Sequence, residues 1–492
     1  MAKKAASSDS ASTARMFEFH EGTSDKFWEI TLSGTSHTVR YGRIGTDGQS
    51  GTKDFGTEAK ALADYEKLIK QKTGKGYAEV TGQSDSRAVR IQTSRATAKE
   101  REPFIKSILE TPDDPAPYLV YADWLEDNGD ARGELIRIQW QLEDESIKAV
   151  ERKKLQTREQ ALLKAHQADW LEDLSDDLIN QKGPEDLLWG NEKKFYRWEF
   201  ARGLLDSLHV TYLLPEFSAL LRKSPAAATL RRLVIRDPSN AYSLEDIEAY
   251  ADKEWDEDDA PALKMLNGTK FGNMRHFEVS EEEAFNCHCS APSVHNLVKQ
   301  MPRLETLHLD AHELNIQAIF RLQLPELRSL KLQHTARRYP LEVLAKNESM
   351  GKLESLYLWP HALDYDDEDD GAYINLEGFR ALCRSKNLPS LKHVHLFLTD
   401  FGDQGVTELV NSELLPRLKS LSLANGAISD EGARLLSEAD LSGLEELDVS
   451  GNYLTRTGVA LIKKAFPKVK AGEQHTGNPA DEREHLFHGD IE

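Results

Sequence analysis

The residues with the chemistry of a metal site fall in three places. His393 and His395 stand two apart, so one strand face presents both imidazoles, but the sequence fixes no third ligand. An acidic insertion fits a calcium loop if Asp366 is position 1. Glu368 and Asp370 then fall at positions 3 and 5, Gly371 at 6 and Glu377 at 12. Glutamate at position 3 and the lack of an entering helix depart from that pattern, and a solvated acidic loop is the plainer reading. Cys287-His288-Cys289, with His276 and His295 near it, holds zinc-type ligands without the second cysteine pair of a structural site. A further acidic group, Asp123, Asp127, Asp130 and Glu134, reads better as an ordinary junction between helices. There is no G-x-x-x-x-G-K-S/T, no G-x-G-x-x-G between strand and helix, no H-E-x-x-H and no G-x-S-x-G. A chain that is not an enzyme and needs no cofactor is expected.

Phosphate chemistry has one place to sit. The net charge is −21, yet residues 1–90 carry 14 Lys/Arg against 12 Asp/Glu, a net of +2, which leaves −23 for the rest. A polyanion is repelled by the long C-terminal part and tolerated only at the N-terminal part. There Arg43 is suited to a phosphate, Tyr41 to stacking on a sugar or base, and Arg40, Lys53 and Lys26 to adding positive field. The competing reading buries Tyr41 with Trp28 inside a sheet and pairs Arg43 with Asp54.

The elements around these residues are short strands with turns at Glu21-Gly22-Thr23 and Ser33-Gly34-Thr35, then a helix over 57–72 ended by Gly74. Tyr41-Gly42-Arg43, the following Ile44-Gly45-Thr46-Asp47-Gly48-Gln49 and the ending Lys72-Thr73-Gly74-Lys75-Gly76-Tyr77 resemble the WGR domain, with tyrosine in place of its tryptophan. The family occurs in poly(ADP-ribose) polymerases, where it binds DNA ends, and in small bacterial proteins. The resemblance implies nucleic-acid binding.

The C-terminal part is written in repeats. With Leu391, Leu418 and Leu444 as position 1, Leu or Val fills positions 4 and 6, an apolar residue position 11, glycine position 15 and an apolar residue position 19. This is a leucine-rich repeat: a period-2 strand with one buried face, then a helix packed behind it. Weaker copies begin at Leu205, Leu230, Met274, Leu304, Leu327 and Leu353, which gives about nine units. The helix-containing units and the glycine before each helix resemble the ribonuclease-inhibitor type, whose position-9 asparagine survives as Asn452. Positions 3, 5 and 7 must then face out from the concave sheet. Arg232 and Arg236 stand there in the first units, Glu446 and Asp448 in the last, and Tyr357, Trp359, His393, His395 and Phe397 form one aromatic and imidazole cluster between them. Clustered exposed aromatics suit a protein partner. The alternative makes them core beneath the insertion between Leu353 and Leu391.

Between the two parts, the stretch 121–139 resembles a bacterial repeat-companion domain that precedes such arrays. The expected fold class is therefore multidomain α/β: a small antiparallel-sheet-plus-helix WGR-like domain, a helical connector, then an α/β leucine-rich-repeat solenoid. The boundaries are a flexible tail at 1–15, the WGR-like domain at 16–82, a linker at 83–100, the helical repeat-companion domain at 101–145, a helical connector and cap at 146–203, the solenoid at 204–470 and a C-terminal tail at 471–492. Three cysteines, no apolar run near the roughly 20 residues of a membrane span and no apolar core in the first residues point to the cytoplasm. The expected function is a bacterial adaptor that joins nucleic acid to a protein partner. The alternatives are a pure protein scaffold and a regulator of an enzyme in trans.

Overall fold

A computed structural model describes residues 14–21, 24–43, 49–75, 77–80, 99–183, 194–237, 261–280, 291–311, 314–335, 339–360, 374–477 and 484–487. The chain divides into two compact units at residues 103 and 104. The first unit is a five-stranded antiparallel sheet, β1 (Ala14–Glu21), β2 (Ser24–Ser33), β3 (Ser36–Arg43), β4 (Gln49–Asp54) and β5 (Ala78–Val80), in the order β4-β3-β2-β1-β5. Helix α1 (Glu58–Thr73) covers one face, and Gly74 caps it where the sequence ends it. Phe17, Trp28 and Ile30 from the strands bury against Tyr65 of the helix. The turn after β2 needs Gly34, whose φ of 54° is in the left-handed region. β5 was not expected; it falls after the helix and returns to pair with β1.

The second unit begins with helical residues 104–110, followed by α2 (Pro115–Asp127), α3 (Arg132–Glu143) and α4 (Ala149–Trp170). Asp114 starts α2 by accepting a hydrogen bond from the Ala116 amide, with Pro115 at the first helical position. The stretch 146–203, expected to be a helical connector and cap, contains a strand. β6 (Tyr196–Ala201) forms an antiparallel hairpin with β7 (Leu204–Tyr212). Its turn presses Gly203 so close to Ile136 that a Cβ would strike that side chain, and Gln139 receives the Gly203 amide and donates to the Phe200 carbonyl. The Gln139 side chain thus satisfies backbone groups at the end of the hairpin that strand pairing leaves open.

From β7 the chain lays down β8 (Arg232–Asp237), β9 (His276–Val279), β10 (Thr306–Asp310), β11 (Ser329–Thr335), β12 (Ser355–Pro360), β13 (His393–Leu396), β14 (Ser420–Ser422) and β15 (Glu446–Asp448), all parallel and in chain order. The pairing sets Ser207, Arg232, His276, Thr306, Ser329, Ser355, His393, Ser420 and Glu446 in one row. Alternation sends their neighbours Leu208, Leu233, Phe277, Leu307, Leu330, Leu356, Val394, Leu421 and Leu447 into the core, all 1% exposed or less. The helices behind the last strands run nine or ten residues (Gly402–Val410, Asp430–Glu438, Arg456–Ala465). Those of the middle units, Val294–Val298, Ile316–Phe320 and Leu341–Ala345, make little more than one turn.

The stretch expected to be a C-terminal tail is partly built in. Val449 donates to the Lys470 carbonyl, Lys470 to Leu447 and Gly451 to Gly472, so residues 470–472 close the edge of the sheet. His485 and Leu486 are fully buried, Leu486 within the main core.

Candidate functional sites

In the N-terminal unit, strand register sorts the candidate residues. Trp28 stands opposite Tyr41 and Lys26 opposite Arg43, at one end of the sheet. Trp28 is buried, whereas Tyr41 is 47% exposed. The expectation that both pack inside the sheet holds for Trp28 alone. Asp54 pairs with Ser36 at the far end of β3 from Arg43, which separates that proposed pair along the strand. Arg40 does not join Tyr41. It alternates to the other sheet face, donates from Nε to Glu29 at 2.8 Å and lies over the Phe27 ring at 4.8 Å. Lys53 stands opposite His37, four residues along β3 from Tyr41, or roughly 13 Å at strand rise. Its Nζ lies 4.8 Å from the Phe55 ring. Lys26, Tyr41 and Arg43 are thus brought to one end, while Arg40 and Lys53 are placed elsewhere.

Sequence reasoning passed over Lys72 as a site residue. The last turn of α1 carries its ammonium over the Tyr77 ring at 4.8 Å and toward the Trp28 ring at 5.5 Å. Burial, then the like charges of Lys75 and Lys26, pull its pKa below the usual lysine value. The three ammonium groups concentrate positive potential there, and an entering anion relieves it. The signal was present: Lys72 follows Leu68 by four residues, on the helix face that packs toward the sheet.

On the second unit, the row Lys331, Tyr357, His395, Ser422, Asp448 crosses five adjacent strands. Trp359 and Phe397 stack at 4.6 Å and 13°, and Tyr357 packs on Phe397 at 5.2 Å. Lys331 lies over the Tyr357 ring at 5.1 Å. All five expected cluster residues are half-buried, so they are neither fully exposed nor core. Burial raises the Tyr357 phenol well above its ordinary value and, with the charge of His393, lowers the His395 imidazole. His393 Nδ1 and His395 Nε2 both meet the Ser420 hydroxyl, at 2.9 Å each. The hydroxyl can donate to only one of them, so at least one imidazole donates to it.

Residues 13–84 match the WGR domain family, and residues 387–410 and 416–437 match a leucine-rich repeat family. The chain carries an N-terminal WGR domain and C-terminal leucine-rich repeats. The uncharacterized protein YfeS of Escherichia coli (strain K12) is 42% identical over 65 residues, which cover 13% of this chain and 27% of that protein. The chain thus spans about a quarter of that relative's length. A crystal structure of a protein from Bacteroides fragilis aligns over 95% of this chain and 97% of its own, at 17% identity and a TM-score of 0.36.

The metal candidates divide. Asp366, Glu368 and Asp370 of the calcium-type loop, and Cys287-His288-Cys289, lie outside the described residues; Glu377 sits in the first turn of the helix Leu376–Arg384. No group of three or more metal-ligating side chains occurs among the described residues. Three of the four acidic residues ahead of the repeats are engaged with cations and donors. Arg137 bridges Asp123 and Glu126, Arg158 binds Glu134, and Asp130 accepts from the Trp170 indole. No helix among the described residues is long and apolar enough to cross a membrane.

Proposed function

We propose that this chain is a non-enzymatic bacterial adaptor of the cytoplasm. Its WGR domain binds nucleic acid, and the open face of its leucine-rich-repeat solenoid, of about nine units and ribonuclease-inhibitor type, holds a protein partner. The observation that carries the nucleic-acid half is the cluster of Lys26, Lys72 and Lys75 beside Trp28, Tyr77 and the exposed Tyr41. Three ammonium groups gathered this closely form a place where phosphate is favoured, and an exposed ring at its rim gives a base or sugar a stacking surface. The strongly negative remainder of the chain directs a polyanion to this domain.

The test is binding of full-length protein to blunt, nicked and single-stranded DNA and to RNA across a salt series. Lys72→Glu and Arg43→Ala should each weaken binding several-fold, and Lys72→Glu should lower the salt slope by about 1 or more. Loss of neither affinity nor slope rejects the nucleic-acid half. The second reading, a pure protein scaffold, draws on Arg40, whose charge is matched by Glu29 on the sheet face away from Tyr41. It predicts that nuclease treatment leaves copurifying partners unchanged, while Trp359→Ala with Phe397→Ala removes them.

A further inference from the structure

The open sheet face carries a trough along β14. Leu421 and Leu423 point into the core, so Ser420, Ser422 and Ala424 point out. These outward residues are nevertheless only 6%, 3% and 5% exposed. They are small, and the side chains on either side stand taller. One wall is Phe397, the residue after β13, backed by the stacked Trp359. The other is Glu446 and Asp448 on β15.

His395, Ser422 and Asp448 occupy one row. Two strand spacings make the trough roughly 10 Å across, the width of one extended chain. Its floor and its aromatic wall offer unmet hydrogen bonding. The Ser422 hydroxyl and the Trp359 indole N–H are buried without a partner among the described residues, whereas Ser420 is engaged by His393 and His395. The charged groups near His395 are Glu446 and Asp448 against Lys470, two carboxylates to one ammonium. Asp448 also accepts from the Ser450 amide.

We infer that this trough takes an extended, basic segment of the protein partner. An apolar side chain of the segment seats against Phe397 and Trp359. A lysine or arginine reaches Glu446 and Asp448, and the Ser422 hydroxyl and Trp359 N–H bond its backbone carbonyls. The inference rests on the reading of the repeats as protein-binding and adds the form and sign of the partner. Charge complementarity favours it twice, at the acidic wall and through the net of −23 beyond residue 90, which attracts basic partners.

The test pans full-length protein against a phage-displayed random dodecapeptide library. Enriched peptides are then measured against the wild type, Trp359→Ala, Ser422→Leu and the double charge reversal Glu446→Lys with Asp448→Lys, each checked for a native circular-dichroism spectrum. The expected peptides join an aromatic or aliphatic residue to lysine or arginine. Trp359→Ala and the charge reversal weaken them roughly tenfold or more, and Ser422→Leu, which fills the trough, abolishes binding. Peptides that need Trp359 but are acidic, or ignore the charge reversal, overturn the basic segment and leave protein binding standing. Failure to enrich any peptide that Trp359→Ala weakens overturns both.

Discussion

At Glu278 the alternation of β9 places a carboxylate on the open sheet face with a side chain only 10% exposed. Burial by itself pushes its pKa up. The hydrogen bonds of His276 and Ser280 and the charge of Arg236 reverse that and hold it well below the usual range. Beside it, burial and then the charge of Lys331 depress His308 from 6.5 to about 4, so the folded imidazole stays neutral at pH 7. Both groups have the same sign of pH dependence. Unfolded His308 takes a proton near pH 6.5 while the folded ring waits until about 4, so the unfolded state gains stability as pH falls through that window. Glu278, depressed when folded, stabilises above its ordinary 4.5 and loses that contribution on further acidification. The stability of the second unit to urea should therefore fall between pH 7 and 4, with His308 supplying at most about 3 kcal/mol. His308→Asn should flatten the part between 6.5 and 4. A variant as pH-sensitive there as the wild type contradicts the assignment. The sequence placed both residues on this face by register, but not their pairing, which depends on side-chain reach between strands.

Between elements, the repeat's glycine acquires a physical cause. Asp403, at the start of one helix, accepts from the Ser429 amide and hydroxyl and from the Gly432 amide, and so caps the helix of the next unit. Asp430 does the same one unit on, to the amide and hydroxyl of Thr455. A Cβ on Gly432 would strike Asp403 Oδ1, and one on Gly458 would strike Asp430 Oδ1. The position-15 glycines are thus the space through which each unit reaches its neighbour; at Gly405 the same space is filled by the Phe401 ring. Asp403→Ala should cost about 1–2 kcal/mol, the value of a lost cap. Gly432→Ala should cost less once Asp403 is gone, and a double-mutant cycle of thermal melts that returns additive losses rejects the staple. The pattern of glycines was legible in the sequence because it recurs. Its reason was not, since Asp403 belongs to the preceding unit. Position 8 hid a similar constraint: Leu398, Asn425 and Gly451 all take positive φ, and three different residue types conceal it. Lys72 and β5 escaped for another reason, because each acts through packing that a helix or a short strand shows only once it is folded back on the sheet.

For the whole array, closure of its last edge decides whether the parallel sheet stays single. A parallel strand left open presents a row of N–H and C=O groups to any other chain. Here residues 470–472 occupy that row on β15, Gln474 donates to the Val449 carbonyl and accepts from the Leu454 amide, and Leu486 is buried in the core beyond them. Repeat period made the strands readable from sequence, but a cap has no period. One Leu486-Phe487 pair in an otherwise polar run carries no period, so the burial of Leu486 was invisible. Two truncations separate the parts. Ending the chain after Thr476 removes His485 and Leu486 while keeping residues 470–475. The loss should be about 2–4 kcal/mol, as for other buried leucines, with no change in mass by light scattering. Ending it after Pro467 also strips β15 of its cover, and dimers or larger species should then form at concentrations where the first truncation stays monomeric. A second truncation that is as monomeric as the first would show that β15 is protected by something other than the C-terminal segment.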